Sequence, residues 1–134
     1  MHSAIHLSTP DSQTCAKVVP TLGFTCIEFQ TQLGQQTVSV LDSEPEFQTG
    51  HCRPGRSGIP LLFPFPNRIS QGRYKYQGVE YVVPPPAWFP QTIHGFCVDR
   101  PWQVIRQVSD SLTGEFILSR DAPDRRPQWP ADAR

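Results

Sequence analysis

Apolar and polar residues alternate along several short segments of this chain of 134 residues. Val38 and Val40 are two positions apart, as are Phe116 and Leu118, and a period of two puts such residues on one face of a strand. β-branched and aromatic residues are frequent in the same segments, which favours strands over helices. The pattern predicts strands over residues 24–30, 36–41, 102–108 and 115–119.

The segment RYKYQGVEYVV (73–83) predicts a β-hairpin. Gln77 and Gly78 would form a two-residue turn, and glycine readily takes the positive φ that such a turn requires. The period of two would put the tyrosines of the first strand on one face and Tyr81 of the second strand on another.

Proline argues against long helices throughout the chain. The 15 prolines are spread along it, and a proline inside a helix costs about 3 kcal/mol. The sequence therefore predicts an all-β fold of antiparallel strands, forming a single domain over residues 1–134. Its core is expected to contain Phe63, Phe65, Phe96 and Trp102.

Composition and charge exclude several classes of protein. Hydrophobic residues make up 37% and charged residues 18%, as in a folded globular domain. Twelve basic residues are balanced by 12 acidic ones, so the clustered positive charge of a nucleic-acid-binding protein is missing. No apolar run approaches the roughly 20 residues that span a bilayer, and the first residues lack the pattern of a secretory signal. We expect neither nucleic acid nor membrane as a partner, and a cytoplasmic location.

The cysteines and histidines do not predict a metal site. Four cysteines allow three disulfide pairings, but none has the close spacing of a zinc knuckle or a redox dithiol. In a reducing compartment we expect small buried thiols. The other histidines are too scattered to join His94, so no metal is expected. The stretch GHCRPG (50–55) lacks the lysine and the helix of a phosphate-binding loop.

The segment GIPLLFPFPNRI (58–69) carries an unusual combination of residues. Its prolines hold φ near about −65° and remove backbone donors, which excludes a helix or a central strand. The segment should leave the core along a stiff, extended path and deliver Asn67 and Arg68 to an edge. Groups placed in advance lose less entropy when a ligand binds. The alternative is a structural arginine paired with a carboxylate beside a hydrogen-bonded asparagine.

A second candidate lies in QTIHGFCVDRPW (91–102). Gly95 permits a tight bend directly after His94, and imidazole is the side chain best suited to exchange protons near neutral pH. A single histidine is also typical of a hydrogen-bonded structural position, so both roles stay open. Asp99 and Arg100 are most simply interpreted as a local ion pair or a turn stabiliser.

Taken together, these segments resemble the N-terminal part of the aldose 1-epimerase family, the galactose mutarotases. The resemblance begins near KVVPTLGFTCIEFQ, continues through SGIPLLFPFPNRISQGRYKYQGVEY and is strongest at IHGFCVDRPW. It implies an antiparallel β-sandwich with a sugar cleft on one concave face, and no cofactor. Family members interconvert the α and β anomers of aldoses. A base takes the anomeric hydroxyl proton, an acid protonates the ring oxygen, and the opened sugar closes on its other face.

The resemblance also implies roles for three residues. Asn67 and Arg68 match the family's asparagine–arginine pair, which hydrogen-bonds sugar hydroxyls. His94 matches the first of two family histidines, which contacts and orients the substrate. The family's second histidine, its general acid, and its glutamate base lie downstream of the resembling region. The expectation is a substrate-binding site without a catalytic residue, in a truncated and catalytically incomplete protein.

Two other functions are compatible with the sequence. One is a carbohydrate-binding β module without catalysis, complete alone or after self-association through uncovered strands. The other is a structural β domain that binds no sugar. The final WPADAR resembles the start of an unfinished strand with nothing to pack against, which favours truncation. The sequence does not identify the sugar.

Overall fold

The computed structural model describes residues 1–134 and consists mainly of antiparallel strands, as the sequence predicts. The strands are β1 Ile5–Ser8, β2 Thr14–Val19, β3 Thr25–Leu33, β4 Gln36–Ser39, β5 Arg73–Tyr76, β6 Val79–Val82, β7 Gln103–Gln107 and β8 Leu112–Glu115. Helix is confined to α1 Leu118–Asp121 and to 3-10 turns at Phe47–Thr49, Pro54–Arg56, Ser70–Gly72 and Arg126–Gln128.

The strands form three sheets of consecutive neighbours: β1 to β4, β5 with β6, and β7 with β8. Gln77 and Gly78 have φ values of 48° and 80°, so the primed two-residue turn predicted between β5 and β6 is confirmed. The prediction of separate tyrosine faces is wrong. Tyr74 lies directly opposite Tyr81, with ring centroids 5.2 Å apart, because directly paired residues of a hairpin project from the same face.

Strands β1 and β2 lie outside the segments that the sequence predicted. Neither IHLS nor TCAKVV contains an aromatic residue, and β2 is interrupted by an irregularity between Lys17 and Val18. Their position is set by pairing, since β2 lies along β3 over its whole length and β1 pairs with β2. Pairing between strands is not visible in local alternation, which explains why the pattern missed them.

The last of the predicted strands, residues 115–119, is wrong beyond its first residue. β8 ends at Glu115, and the backbone then turns into α1. Phe116 and Leu118 are nevertheless buried, being 2% and 0% exposed, so the alternation predicted burial correctly without predicting a strand. The turn is held by Asp121, whose carboxylate accepts a hydrogen bond of 2.7 Å from the Ile117 N–H.

The main hydrophobic core joins the second half of the chain to the proline-rich segment. Its buried members are Val83, Phe96, Cys97, Phe116, Leu118 and Ala122. Of the four aromatic residues expected in the core, Phe96 is 4% exposed. Phe63, Phe65 and Trp102 are only half-buried and pack against this cluster.

The last residues of the chain join the same core. The Trp129 ring lies 5.7 Å from Phe65, 5.4 Å from Tyr74 and 6.0 Å from Phe96, measured between centroids. The carbonyl of Ala133 accepts a hydrogen bond of 2.9 Å from the backbone N–H of Leu118. The expectation that WPADAR has nothing to pack against is therefore wrong.

Strand β7 leaves apolar surface uncovered, as expected. All five of its residues are exposed, with Val104 at 39% and Ile105 at 58%. Apolar side chains on an open strand can pair with another chain. Self-association through this surface stays a prediction.

The four cysteines are free, and the expectation of buried thiols holds for Cys97 alone. Burial raises the pKa of the Cys97 thiol to about 11, so it remains protonated and unreactive near neutral pH. The remaining three are half-buried. None of the helices has the length and apolar character to cross a bilayer. The cytoplasmic location stays a prediction.

An ionic cluster stabilises the turn after β8. The Arg120 guanidinium lies 2.7 Å from the Glu115 carboxylate and 2.8 Å from that of Asp121. Its hydrogen bonds lower the pKa of both carboxyl groups below their ordinary values of 4.5 and 3.8. A lowered native pKa means that the unfolded chain binds protons more readily, so acid favours unfolding.

We expect the contribution of these two carboxyls to the free energy of unfolding to be constant above about pH 5 and to fall as the pH drops through their native pKa values. Arg120→Gln should lower stability at pH 7 and also flatten the loss between pH 5 and pH 2, since the largest cause of both lowered pKa values is removed. Urea unfolding at a series of pH values measures both effects. Arg106→Gln on β7, which removes an arginine outside the ionic cluster, is the matched control. An unchanged acid profile in Arg120→Gln would show that the cluster does not set it.

Candidate functional site

The proline-rich segment 58–69 is held at three points along its extended path. Ile59 forms a bridge with Cys26 of β3, Phe63 with Gly95, and Arg68 with Ile93. A stiff segment that is fixed at its start, middle and end has little freedom left, because its prolines already restrict φ. The predicted path of this segment to a defined place is confirmed. The segment lies against residues 92–96.

Gly95 makes the middle contact possible. Its φ is +74°, and a Cβ at this position would lie 2.1 Å from the carbonyl oxygen of Phe63. The next residue, Phe96, donates its N–H to that same carbonyl at 2.7 Å. Only a residue without a side chain lets the two backbones approach this closely, so Gly95 sets the distance between the two candidate segments.

Arg68 lies at the exposed end of the segment with its guanidinium oriented but not neutralised. Its Nε donates a hydrogen bond of 2.7 Å to the Gln91 side-chain oxygen. No carboxylate lies within ion-pair distance of it. The alternative of an arginine paired with a carboxylate is therefore wrong. The bond at Nε fixes the plane of the guanidinium and leaves both Nη groups as donors.

Asn67 is exposed and uses its side-chain oxygen locally. That oxygen accepts a hydrogen bond of 2.8 Å from the backbone N–H of Arg68. The carbonyl of Asn67 accepts the His94 N–H at 3.4 Å. Because the oxygen is occupied, the side-chain NH₂ of Asn67 is the group left to donate to a ligand.

The hydrogen bond of His94 determines which ring nitrogen carries the proton. Its Nδ1 lies 2.9 Å from the carbonyl oxygen of Pro66. A carbonyl can only accept, so Nδ1 must donate, and in the neutral ring Nε2 is then an acceptor. The Nε2 edge faces Gly55, and a Cβ added to Gly55 would lie 3.5 Å from Nε2. Glycine at this position leaves that edge free of a covering side chain.

The backbone of His94 is also in an uncommon conformation. Its φ is +66°, a region that costs a residue with a side chain roughly 1–2 kcal/mol. Glycine would adopt this conformation without that cost. Such conformations are found at turns, as at Gln77 between β5 and β6, and also at binding and active sites, so this one is compatible with either role of His94.

The indole ring of Trp88 borders the histidine. The Trp88 ring stacks on His94 with centroids 6.4 Å apart and planes 19° apart. Trp88 is held in turn by a hydrogen bond of 2.9 Å from its Nε1 to Asp99. Asp99 also lies 3.8 Å from the Arg100 guanidinium, so the predicted local ion pair is present. Trp88 therefore limits the rotation of the imidazole ring.

The structure brings the three predicted residues together through their backbones but does not enclose them in one cavity. Arg68 and Gln91 line an open groove of about 790 Å³, bounded on its other side by Val82, Pro84 and Pro85. Neither Asn67 nor His94 lines this groove. No group of three or more His, Cys, Asp or Glu side chains is arranged to hold a metal ion. The site is thus an open corner formed by donors and an imidazole.

Sequence reasoning missed the residues that orient the site. Gln91 belongs to the same motif as His94, and an antiparallel bridge between Arg68 and Ile93 would have suggested that it faces Arg68. Trp88 and Phe89 follow a run of three prolines (84–86) and gave no strand signal. Aromatic rings of this kind supply flat apolar surface at little entropic cost, which suits recognition sites.

The arrangement can donate several hydrogen bonds and accept at least one. The Nη groups of Arg68 form a planar fork that can hold two oxygens, the Asn67 NH₂ adds another donor, and the neutral His94 Nε2 accepts. Neighbouring hydroxyl groups are both donors and acceptors, so a polyol matches this combination. The corner contains no pair of carboxylates.

Comparison with known proteins shows what this chain is similar to. A family model described as Aldose 1-epimerase matches residues 5–134. Protein YihR of Escherichia coli K12 is 41% identical over 54 residues, which are 40% of this chain and 18% of YihR. The Slr1438 protein of Synechocystis sp. PCC 6803 superposes with a TM-score of 0.68 at 28% identity, over 87% of this chain and 37% of its own.

The GalM/aldose epimerase homologue of C. elegans superposes with a TM-score of 0.71 at 17% identity, which shows a shared fold. That alignment covers 98% of this chain and 39% of the C. elegans chain. This chain thus spans less than two fifths of the length of each of these three relatives. The antiparallel β architecture with a galactose mutarotase-type fold, expected from the sequence, is confirmed.

Proposed function

Because the chain belongs to the aldose 1-epimerase family, we propose that residues 1–134 form the sugar-binding corner of a protein that interconverts the α and β anomers of an aldose. The observation that carries this proposal is Arg68, which is exposed, oriented by Gln91 and without a carboxylate partner. An arginine held in this way is prepared to bind oxygen atoms of a ligand. Asn67 and His94 lie beside it through backbone contacts.

We assign binding roles to all three residues. The fork of Arg68 would hold two adjacent sugar oxygens, and the Asn67 NH₂ would donate to a third. The Nε2 of His94 would accept a hydrogen bond from a sugar hydroxyl, since Nδ1 is already bound to the Pro66 carbonyl. These bonds would fix the ring relative to the groups that move protons.

We further propose that the general acid and base of the reaction are not among these residues. Interconversion needs one group to take the anomeric proton and another to protonate the ring oxygen. Two acidic residues are engaged elsewhere: Asp99 with Trp88 and Arg100, and Glu80 with Arg73 at 3.4 Å. The lengths of the relatives also favour a part of an epimerase over the alternative of a carbohydrate-binding module, since this chain matches only a portion of each.

Two measurements on the chain of 134 residues test the proposal. Titration of ¹⁵N-labelled protein with D-glucose and D-galactose should shift the signals of the Arg68 Nε–H, the Asn67 NH₂ and the His94 ring. Polarimetry should show no acceleration of anomer interconversion over the spontaneous rate, because general acid–base catalysis worth about 10²–10⁴-fold is missing.

Each measurement can contradict its part of the proposal. If neither sugar shifts these signals up to saturating concentrations, the corner does not bind sugar. Clear turnover would show that His94 with Asp99 or Glu80 supplies the acid and base after all.

A further inference from the structure

A second arginine reaches the sugar-binding corner from a different part of the chain. The Arg53 guanidinium carbon lies 4.1 Å from the centroid of the Phe89 ring, and that of Arg68 lies 5.7 Å from the same centroid. Both distances are within the cation–π range of about 6 Å. The two guanidinium groups are therefore no further apart than the sum of these distances.

The loop that carries Arg53 is itself part of the corner. Gly55 lies against the His94 ring, since a Cβ there would be 3.4 Å from the imidazole Cδ2. The 3-10 turn at Pro54–Arg56 follows directly. Arg53 and Gly55 thus border the corner, although GHCRPG (50–55) lacks the sequence of a phosphate-binding loop.

Neither guanidinium is compensated by the protein. Arg53 is half-buried, yet its side chain makes no hydrogen bond and no ion pair, so all five of its N–H donors are unused. Arg68 uses only Nε. Arg53 is half-buried and Arg68 is exposed. Two positive charges near one ring repel each other unless an anion lies between or beside them.

Nearby carboxylates do not fill this role. Asp99 is bound to Trp88 and Arg100. Burial, together with the carboxylates of Glu44 and Glu46, raises the pKa of the Cys52 thiol next to Arg53. Neither glutamate, however, lies within ion-pair distance of the Arg53 guanidinium. A neutral sugar would also leave the second guanidinium without a partner.

We propose that Arg53 and Arg68 together form an oxyanion subsite beside the sugar corner, so that the preferred ligand is an aldose carrying a phosphate or carboxylate group. Guanidinium forks match the oxygens of both groups bidentately. The inference rests on the proposed sugar site, whose substrate class it narrows. Phe89 holds both arginines in place through their cation–π contacts.

Calorimetric titrations with D-glucose, D-glucose 6-phosphate, D-glucuronate and inorganic phosphate test this subsite. At low salt, at least one of the two anionic sugars should bind about tenfold or more tightly than glucose, since one charged hydrogen bond is worth about that much. The preference should shrink at higher ionic strength because exposed charges are screened. Inorganic phosphate alone should bind more weakly than the anionic sugar, because it lacks the sugar contacts.

Variants locate the effect at Arg53. Arg53→Gln should reduce the affinity for the anionic sugar to that for glucose, and Arg53→Lys should also weaken it, since lysine lacks the fork. Arg106→Gln, an exposed arginine on β7, is the matched control and should change neither affinity. A melting curve for each variant shows whether it is folded, and if Arg53→Gln is not, Arg53→Lys decides the test.

Several outcomes would overturn the subsite. It fails if glucose binds as tightly as both anionic sugars, if inorganic phosphate binds as tightly as they do, or if folded Arg53 variants keep the preference. When glucose still shifts the Arg68 signal in these cases, the proposed sugar corner stands while the oxyanion subsite does not. If no sugar binds, both proposals fail together.

Discussion

Replacement of Gly95 by alanine is expected to lower the free energy of unfolding by about 2–6 kcal/mol, since backbone strain and overpacking each cost roughly 1–3 kcal/mol. The added Cβ would stand 2.1 Å from the Phe63 carbonyl oxygen at a residue whose φ is +74°. Residues 58–69 and residues 92–96 would have to separate to remove the clash. Because a single domain is stable by only roughly 5–15 kcal/mol, this loss is a large share of the total.

Gly78→Ala isolates the contribution of backbone strain. Gly78 has φ +80° in the β5–β6 turn, and no atom lies within 4 Å of an added Cβ. Its replacement should therefore cost only about 1 kcal/mol. Urea unfolding of both variants measures the difference. If Gly95→Ala is no more destabilising than Gly78→Ala, the close approach at Phe63 does not hold the two segments together.

Replacement of Arg68 by alanine or lysine is expected to weaken sugar binding by roughly 10- to 150-fold, since a charged hydrogen bond contributes about 1.5–3 kcal/mol. Lysine should restore little of this affinity, because it offers a point charge where arginine offers a planar fork. Arg68 has no ion pair to lose, so the melting temperature should change little. The dissociation constant for D-galactose or D-glucose, from the signal shifts described above, measures the effect.

The matched variants for this experiment are Arg106→Ala and His94→Gly. Arg106 is an exposed arginine outside the corner, so the Arg106→Ala variant should bind sugar normally. Glycine relieves the φ of +66° at His94, so His94→Gly should keep the fold while weakening binding. Unchanged affinity in both Arg68 variants, together with a lowered melting temperature and normal binding in His94→Gly, would show that both residues are structural.

Features that depend on the conformation of one or two residues were predictable from the sequence. The β5–β6 turn follows from a glycine that tolerates positive φ, and the extended path of residues 58–69 follows from prolines that restrict it. The alternation of Phe116 with Leu118 likewise predicted their burial. In these cases the physical cause lies within the segment itself, so neighbouring residues carry the whole signal.

The motifs around Asn67, Arg68 and His94 identified the family and the candidate binding residues. They did not show how those residues are oriented. Gln91 holds Arg68 from 23 positions away, and the Nδ1 of His94 is bound by Pro66 at a separation of 28. Such contacts depend on how separate segments pack, and no local pattern encodes them.

By itself, the sequence of this protein determined an antiparallel β fold, a stiff segment ending in Asn67 and Arg68, and membership of a sugar-converting family. Only the tertiary structure decided that Arg68 lacks a carboxylate partner and that Arg53 shares the Phe89 ring with it. The physical reason is the distance along the chain over which each interaction acts. Backbone preferences act within a few residues, whereas ion pairing and cation–π contact require side chains that the chain brings together only after it has folded.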